Sequence, residues 1–230
     1  MRFARSLRLL VRPALAAACL AVMGAAAPVL AQATLVYGDE PRSTDLHRFT
    51  RWVDALNKAG SDMFQASQRC AGGDQGYCFL LHYDSYLRDV AGLAPRDQIE
   101  AVNRFVNQMA YVEDQQNYGV SDYWASPLEF FRNNGDCEDF AIAKYIAFHT
   151  LGFSDDQVRV WVVRDVRRAV NHAVLTVALD GRTYVLDSLT NTVLEASEVD
   201  RYQPIYSINA SAWWLHDLEL ARAAAAPASP

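Results

Sequence analysis

Residues 134–140 read Asn-Gly-Asp-Cys-Glu-Asp-Phe, and this stretch organises the rest of the chain. It opens an apolar run, residues 140–151, that is hydrophobic on most sides and therefore predicts a central, buried helix. Before it, residues 46–56 and 99–109 carry apolar side chains at helical spacing. After it, the pattern changes to period two with β-branched residues. Helices followed by strands predict an α+β fold.

Glycine and proline set the expected ends of the helices. Gly60 is predicted to end the first helix, and Pro95 to occupy the first turn of a later one. The sequence Ser-Pro-Leu-Glu at 126–129 has the form of a capping box, so a short helix should start there. Residues 112–125 lack periodicity and are predicted to form a loop.

Four strands are expected in the second half of the chain. They span residues 158–163, 173–179, 183–186 and 202–208. Asp180-Gly181 is a strong hairpin turn between the second and the third. Pro204 predicts that the fourth is an edge strand, because proline cannot donate a ladder hydrogen bond.

The N-terminal segment predicts export. Residues 1–33 combine four arginines, an apolar segment and a small-x-small ending, which is the pattern of a cleaved signal peptide. A transmembrane anchor is the alternative, but Pro28 interrupts a segment that is already short for one. We therefore expect a periplasmic protein with one domain, residues 34–220, and a disordered alanine-rich tail, residues 221–230.

Charge excludes several classes of ligand. The whole chain has a formal net charge of −6, and losing residues 1–33 removes four arginines and no acid, which makes it −10. Nucleic acids and anionic membranes attract lysine and arginine, so neither is an expected partner. No stable membrane insertion is expected after cleavage.

Three cysteines follow the expected cleavage point, Cys70, Cys78 and Cys137. In an oxidising compartment Cys70 and Cys78 can pair across the glycine-rich segment between them, and the alternative of three free thiols stays open. An unpaired cysteine in an exported protein favours a functional role for Cys137.

Cys137 has the setting of a nucleophile. At a helix N-terminus its sulfur faces unpaired backbone N–H groups and the positive end of the helix dipole, which favour the thiolate. Its own N–H is placed to hold an oxyanion. A buried structural cysteine is the alternative, although the acidic flanks are unlike a core.

A histidine and an aspartate on the hairpin complete a candidate relay. A two-residue turn pairs Leu179 with Arg182, which places His172 and Asp187 on one face as diagonal neighbours, about 7–8 Å apart at the backbone. Asp187 can therefore orient His172 as a general base. A surface histidine and a strand-end aspartate are the alternative.

The carboxylates beside Cys137 need an explanation, because negative charge opposes a thiolate. Acidic residues also suit a helix start, which is the simple alternative. A bound Ca²⁺ explains them better, since it takes about six to eight oxygens in irregular geometry, whereas Mg²⁺ retains water. The candidate ligands are Asp136, Glu138 and Asp139, with Asp114 and Asp122 in the preceding polar loop.

Three blocks of the sequence resemble the bacterial transglutaminase-like cysteine proteinases. They are Asn-Gly-Asp-Cys-Glu-Asp-Phe-Ala at 134–141, Asn-His-Ala-Val-Leu at 171–175 and Tyr-Val-Leu-Asp-Ser-Leu at 184–189. The resemblance implies a transglutaminase-like, papain-like cysteine protease fold, with N-terminal helices and a buried nucleophile helix packed on an antiparallel sheet. It also implies site residues: Cys137 as nucleophile, His172 as general base and acid, Asp187 as orienting group, and Asp136, Glu138 and Asp139 as Ca²⁺ ligands.

The resemblance implies partners as well. It implies a periplasmic calcium-dependent protease that cuts the N-terminal region of a large repeat-rich surface adhesin, which releases the adhesin and promotes biofilm dispersal. It implies an inhibitor, the periplasmic domain of an inner-membrane cyclic-di-GMP receptor. Trp124 and residues 115–118 are candidates for a second oxyanion donor.

Two other functions fit the same residues. A transglutaminase or amidase acting on cell-wall or protein substrates would use the same relay with a different acceptor. A non-catalytic calcium-binding module with a vestigial cysteine would use the carboxylates alone.

Overall fold

The structure, a computed structural model, describes residues 35, 37–38, 40–217 and 219. The chain divides into two units, residues 1–31 and 32–230, and the first lies outside the described residues. The predicted signal peptide and the predicted tail also lie outside them and stay predictions. Within the described part of the chain, no helix is long and apolar enough to cross a membrane.

Six α-helices occur in the described part of the chain, and all of them come after β1 (Arg42–Ser43) and before the other strands. They are α1 (Thr50–Ala71), α2 (Gln75–Val90), α3 (Pro95–Val106), α4 (Asp114–Asn117), α5 (Pro127–Asn133) and α6 (Cys137–Thr150). Proline opens α3, and the predicted capping box of Ser126 and Glu129 opens α5, so both expected starts are confirmed. The predicted loop at 112–125 contains α4.

The prediction that Gly60 ends the first helix is wrong. α1 runs unbroken through this residue and packs along α2 and α5. One glycine costs a helix only about 1 kcal/mol, which tertiary packing outweighs. A disulfide between Cys70 and Cys78 joins the last turn of α1 to the first turn of α2.

A seven-stranded antiparallel sheet has the order β1-β7-β6-β2-β3-β4-β5. Its strands are β1 (Arg42–Ser43), β2 (Val158–Asp165), β3 (Val170–Leu179), β4 (Arg182–Leu186), β5 (Leu194–Glu195), β6 (Tyr202–Ile208) and β7 (Trp213–Leu215). The four predicted strands are β2, β3, β4 and β6, and the α+β class is confirmed.

The prediction that Pro204 marks an edge strand is wrong. β6 lies inside the sheet, between β7 and β2. Pro204 sits where the register with β2 shifts, between Val162 and Val163. Such irregularities are the other place where a sheet tolerates proline.

The helix α6 is central, as predicted. It packs on β2 and β3 and also on α3 and α5. Alternate side chains of β3 enter two cores: Leu175 and Val177 meet the helices, whereas Val174 joins a smaller cluster with Trp161 and Tyr202. Burial on several sides holds the N-terminal end of α6 in place against β3.

Candidate active site

A tight turn fixes Cys137 at the first position of α6. Gly135 leaves room for the Asp139 side chain, which a Cβ at Gly135 would hit. Asp139 then braces the turn: Oδ2 accepts the backbone N–H of Asp136 at 3.2 Å, and Oδ1 accepts that of Ala125 at 2.7 Å. The residues that flank the cysteine therefore build the helix start that positions it.

The Cys137 thiol lies between the hairpin and the carboxylates. It donates a hydrogen bond to Oε2 of Glu138 at 3.1 Å. The backbone N–H of Ala173, the residue after His172, faces the sulfur and favours its thiolate. Burial raises the pKa of Cys137 well above its ordinary value, and the charges of Glu138 and Asp136 raise it further. The predicted conflict between nucleophile and carboxylates is present in the structure.

The hairpin brings His172 and Asp187 together as predicted. Leu179 lies opposite Arg182, which is the expected register. Nε2 of His172 is 2.8 Å from Oδ1 of Asp187, and the His172 side chain is 1% exposed. A pair this close and this buried forms a stable hydrogen bond.

Three donors hold Asp187. Besides His172, the backbone N–H of Leu189 donates to Oδ1 at 3.0 Å, and the hydroxyl of Tyr202 donates to Oδ2. Although burial opposes the charge, these hydrogen bonds lower the pKa of Asp187 to about 2. Asp187 is therefore an acceptor, so Nε2 of His172 carries the proton between them and Nδ1 is the nitrogen left for proton exchange.

Five acidic side chains gather around the start of α6. They are Asp114, Asp122, Asp136, Glu138 and Asp139. One oxygen each from Asp114, Asp136 and Asp139 lie within 4.8 Å of one another, and so do oxygens from Asp114, Asp122 and Glu138. Ca²⁺ binds oxygens at about 2.3–2.6 Å, so two ligands on opposite sides of one ion are about 4.6–5.2 Å apart. The two sets share Asp114, and the oxygens of each set are close enough together to bind one cation.

Unsatisfied oxygens show that the cluster fits a cation. Among the described residues, Oδ1 of Asp114 and Oδ1 of Asp136 are buried without a hydrogen-bond donor. Burial, together with the charge of Asp136, raises the pKa of Asp114 to about 6 and that of Asp139 to about 8. An all-oxygen donor set suits Ca²⁺ better than Zn²⁺, which prefers nitrogen and sulfur.

The five carboxylates are not equivalent. Both oxygens of Asp139 already accept backbone N–H groups, so only their second lone pairs are left for a metal. Asp122 is ion-paired with Arg51 near the surface. Asp114 and Asp136 each have a whole oxygen to offer.

Several of the candidate groups for a second oxyanion donor already have hydrogen-bond acceptors. The indole N–H of Trp124 donates to Oδ1 of Asp122 at 3.0 Å. Residues 115–118 lie in and just after α4, where the N–H of Tyr118 donates to the Asp114 carbonyl at 2.7 Å. The predicted first donor, the N–H of Cys137 at the first helical position, has no acceptor within the helix.

The sequence profile of the bacterial transglutaminase-like cysteine proteinases (BTLCP) matches residues 89–217, which include every site residue named above. The chain belongs to this family. Membership makes it a cysteine protease by class, and the turn that carries Cys137, the hairpin and the acidic cluster all fall within the matched segment. No curated protein sequence matches this proteinase.

Solved structures of Legionella pneumophila LapG are similar to this proteinase. One is 30% identical, with a TM-score of 0.57, and the match covers 68% of this chain and 87% of LapG. An EGTA-treated LapG is 29% identical with a TM-score of 0.58, covering 70% and 87%. A calcium-bound LapG is 29% identical with a TM-score of 0.53, covering 71% and 87%. The family and these neighbours confirm the predicted fold and the predicted resemblance.

Sequence reasoning missed two asparagines that hold the loop after Asp187 in this proteinase. Nδ2 of Asn107 donates to the carbonyl of Asp187 at 2.8 Å, and Nδ2 of Asn103 donates to that of Thr190 at 3.1 Å. The available signal was their spacing, because Asn103 in α3 and Asn107 just after it are four residues apart and so lie on the same side of the helix.

Sequence reasoning also missed Lys144 and Tyr202. Lys144 is fully buried in α6, and its Nζ has no acceptor among the described residues. Burial lowers the pKa of Lys144 to about 7, although the charge of Asp187 opposes the fall. The sequence contained a signal for Lys144, because a lysine within an apolar helix is unusual. It contained no signal for Tyr202, because aromatic residues are common in strands.

Proposed function

We propose that this proteinase is a calcium-dependent cysteine endopeptidase in which Cys137, His172 and Asp187 form the catalytic triad. The observation that carries the proposal is the buried hydrogen bond between His172 and Asp187, whose atoms are 2.8 Å apart. Ala173, the residue after His172 in β3, has its backbone N–H facing the Cys137 sulfur, so this pair lies beside the proposed nucleophile. A nucleophile at a helix start beside an oriented histidine is the arrangement that acyl transfer needs.

In the proposed reaction, the Cys137 thiol passes its proton to Nδ1 of His172, and the resulting thiolate attacks the carbonyl carbon of a peptide. The Cys137 N–H stabilises the oxyanion of the tetrahedral intermediate. The imidazolium gives its proton to the leaving amine as the C–N bond breaks, which leaves an acyl-enzyme. His172 then takes a proton from water, whose attack releases the acid product and the thiolate.

The acidic cluster would hold Ca²⁺. Asp136, Glu138 and Asp139 are the proposed ligands, and Asp114 and Asp122 are close enough to contribute. A bound Ca²⁺ supplies the positive charge that offsets the carboxylates around the nucleophile. The calcium-bound form of the similar Legionella pneumophila LapG supports the choice of metal.

The proposed substrate is the N-terminal region of a large repeat-rich surface adhesin, whose release promotes biofilm dispersal. The proposed inhibitor is the periplasmic domain of an inner-membrane cyclic-di-GMP receptor, so the enzyme would act in the periplasm. Support comes from the resemblance to adhesin-releasing members of the family, from the predicted signal peptide and from the acidic chain that its removal leaves.

Purified protein, mixed with Ca²⁺ and an N-terminal fragment of such an adhesin, tests the proposal. We expect two products from one cut in the wild type and an intact fragment with Cys137→Ala. Incorporation of a biotinylated amine without chain cleavage would instead identify a transglutaminase. Adhesin release at the wild-type level in cells that carry Cys137→Ala would favour the calcium-binding module.

A further inference from the structure

Tyr202 reaches the proposed triad from a strand that carries none of its members. It lies on β6, opposite Asp165 of β2, and two strands separate it from β4. The side chain packs into the smaller core with Val163 and Val174, and the residue is 4% exposed. From there its hydroxyl donates to Oδ2 of Asp187.

The two oxygens of Asp187 have different partners. His172 and the Leu189 N–H share Oδ1, whereas the described hydrogen bond to Oδ2 comes from Tyr202. A carboxylate held through one oxygen can still turn about its Cβ–Cγ bond, and a donor on the second oxygen stops that rotation. The Tyr202 ring also contacts the His172 ring, with centroids 5.6 Å apart.

Tyr202 is itself held in place. The guanidinium of Arg201 lies over its ring, 5.0 Å from the centroid, and is ion-paired with Asp165, whose side chain is fully buried. Burial and the charge of Asp187 raise the pKa of Tyr202 far above its ordinary value. The hydroxyl therefore stays protonated and acts as a fixed donor.

We propose that Tyr202 is a positioning residue that acts through Asp187: its hydroxyl fixes the carboxylate plane, so that Oδ1 stays aimed at His172. The proposal rests on the triad proposed above. The charged and titratable groups that face Asp187 are His172 of β3, Lys144 of α6, Tyr202 of β6, and Arg201 just before β6.

Tyr202→Phe removes the hydroxyl and keeps the ring. We expect kcat on the adhesin fragment to fall about tenfold, with KM within about twofold, because orientation of the base matters in the chemical step rather than in binding. The matched control is Tyr83→Phe, another buried tyrosine, whose hydroxyl contacts the Ala143 carbonyl away from the site. It should leave kcat and KM unchanged.

A double-mutant cycle separates positioning from general support. In an Asp187→Ala background Tyr202→Phe should change kcat less than about twofold, because the hydroxyl has lost its acceptor. A tenfold loss in both backgrounds, or no loss in either, would overturn the proposal.

A second readout does not depend on activity. Carboxyl ¹³C NMR of the Cys137→Ala protein should show the Asp187 titration moving upward, by roughly one pH unit, when Tyr202→Phe is added. An unmoved titration overturns the proposal even if kcat falls. If the wild type cleaves nothing, the peptidase assignment fails, and the NMR titration still decides whether Tyr202 controls Asp187.

Discussion

Asp187 and the acidic cluster at the start of α6 are two buried carboxylate environments that differ in what satisfies them. Each oxygen of Asp187 has a donor from the chain, and its pKa falls to about 2. In the cluster, Asp114 and Asp136 each keep a buried oxygen without a donor among the described residues, and the pKa of each carboxyl rises. The hydrogen bonds of the first environment come from the protein itself, whereas the Ca²⁺ that we propose would satisfy the second.

The difference divides the site into a preassembled part and a conditional part. His172 and Asp187 hold their geometry through hydrogen bonds alone, so they should be insensitive to calcium. Cys137 lies next to Glu138 and shares its turn with Asp136, so the nucleophile should be the part that calcium controls. Substitutions that alter one environment and leave the other intact test whether the two are independent.

The largest expected effect is that of Asp187→Asn. An amide cannot balance the imidazolium or hold its tautomer, so kcat should fall by about 10³-fold, or about 4 kcal/mol. The rise of Tm on adding Ca²⁺ should match that of the wild type, because the acidic cluster is intact. Asp180→Asn, on the exposed hairpin turn, is the control with unchanged kcat. If the Tm of Asp187→Asn no longer rises on adding Ca²⁺, the two environments are coupled rather than independent.

Lys144→Met tests the environment of Asp187, whose charge acts on Lys144. Lys144 has a folded pKa of about 7 against an ordinary 10.5, so its burial costs stability in full below pH 7, and the cost fades as pH rises towards 10.5. The variant should gain roughly 2–3 kcal/mol more at pH 6 than at pH 9 in urea unfolding. A gain that does not depend on pH would mean that Lys144 binds its proton equally well in the folded and the unfolded protein, as a solvated lysine does.

Asp136→Asn tests the part of the site that should depend on calcium. It removes the negative charge and replaces one carboxylate oxygen by an NH₂ group that cannot bind a cation, so Ca²⁺ affinity should fall about 30-fold, or about 2 kcal/mol, by calorimetry. Activity should return at high Ca²⁺, because His172 and Asp187 are untouched. Asp84→Asn, ion-paired with Arg88 on α2, is the matched control. Activity that stays low in saturating Ca²⁺ would place Asp136 in the chemistry rather than in the metal site.

Replacing Cys70 and Cys78 by serine should have the smallest effect on either environment. The disulfide closes a short segment, with a sequence separation of 8, so its loss should cost about 2.5 kcal/mol of stability by the loop-entropy relation. The kcat and the half-activating Ca²⁺ concentration should stay within about twofold of the wild type. A larger change would mean that the α1–α2 hairpin supports the site.

Much of the fold was readable because local rules governed it. The position of α6 follows from apolar residues on most sides, and the relation of His172 to Asp187 follows from a two-residue turn and the period of two along strands. The prediction from Gly60 was wrong because packing of α1 along α2 outweighs the low helix propensity of glycine. The prediction from Pro204 was wrong because a shift of register inside the sheet accommodates the proline.

Residue type and spacing predicted the catalytic and metal-binding candidates, but they did not predict the residues that hold those candidates in place. Asp187 meets Tyr202 because β6 lies on the far side of β2, an order that no local pattern specifies. Asn107 reaches the Asp187 carbonyl because α3 packs on β3. Contacts of this kind depend on tertiary arrangement and need coordinates.

Peptidase rate and Tm, followed together against free Ca²⁺ in the wild type and in Asp136→Asn, test most directly that the cluster makes Cys137 conditional on calcium. We predict an EGTA-treated enzyme at least about 100-fold less active, restored by Ca²⁺ better than by Mg²⁺. Rate and Tm should share one midpoint, and both midpoints should shift together in the variant. Full activity in EGTA, in protein shown to be free of calcium, would contradict the account.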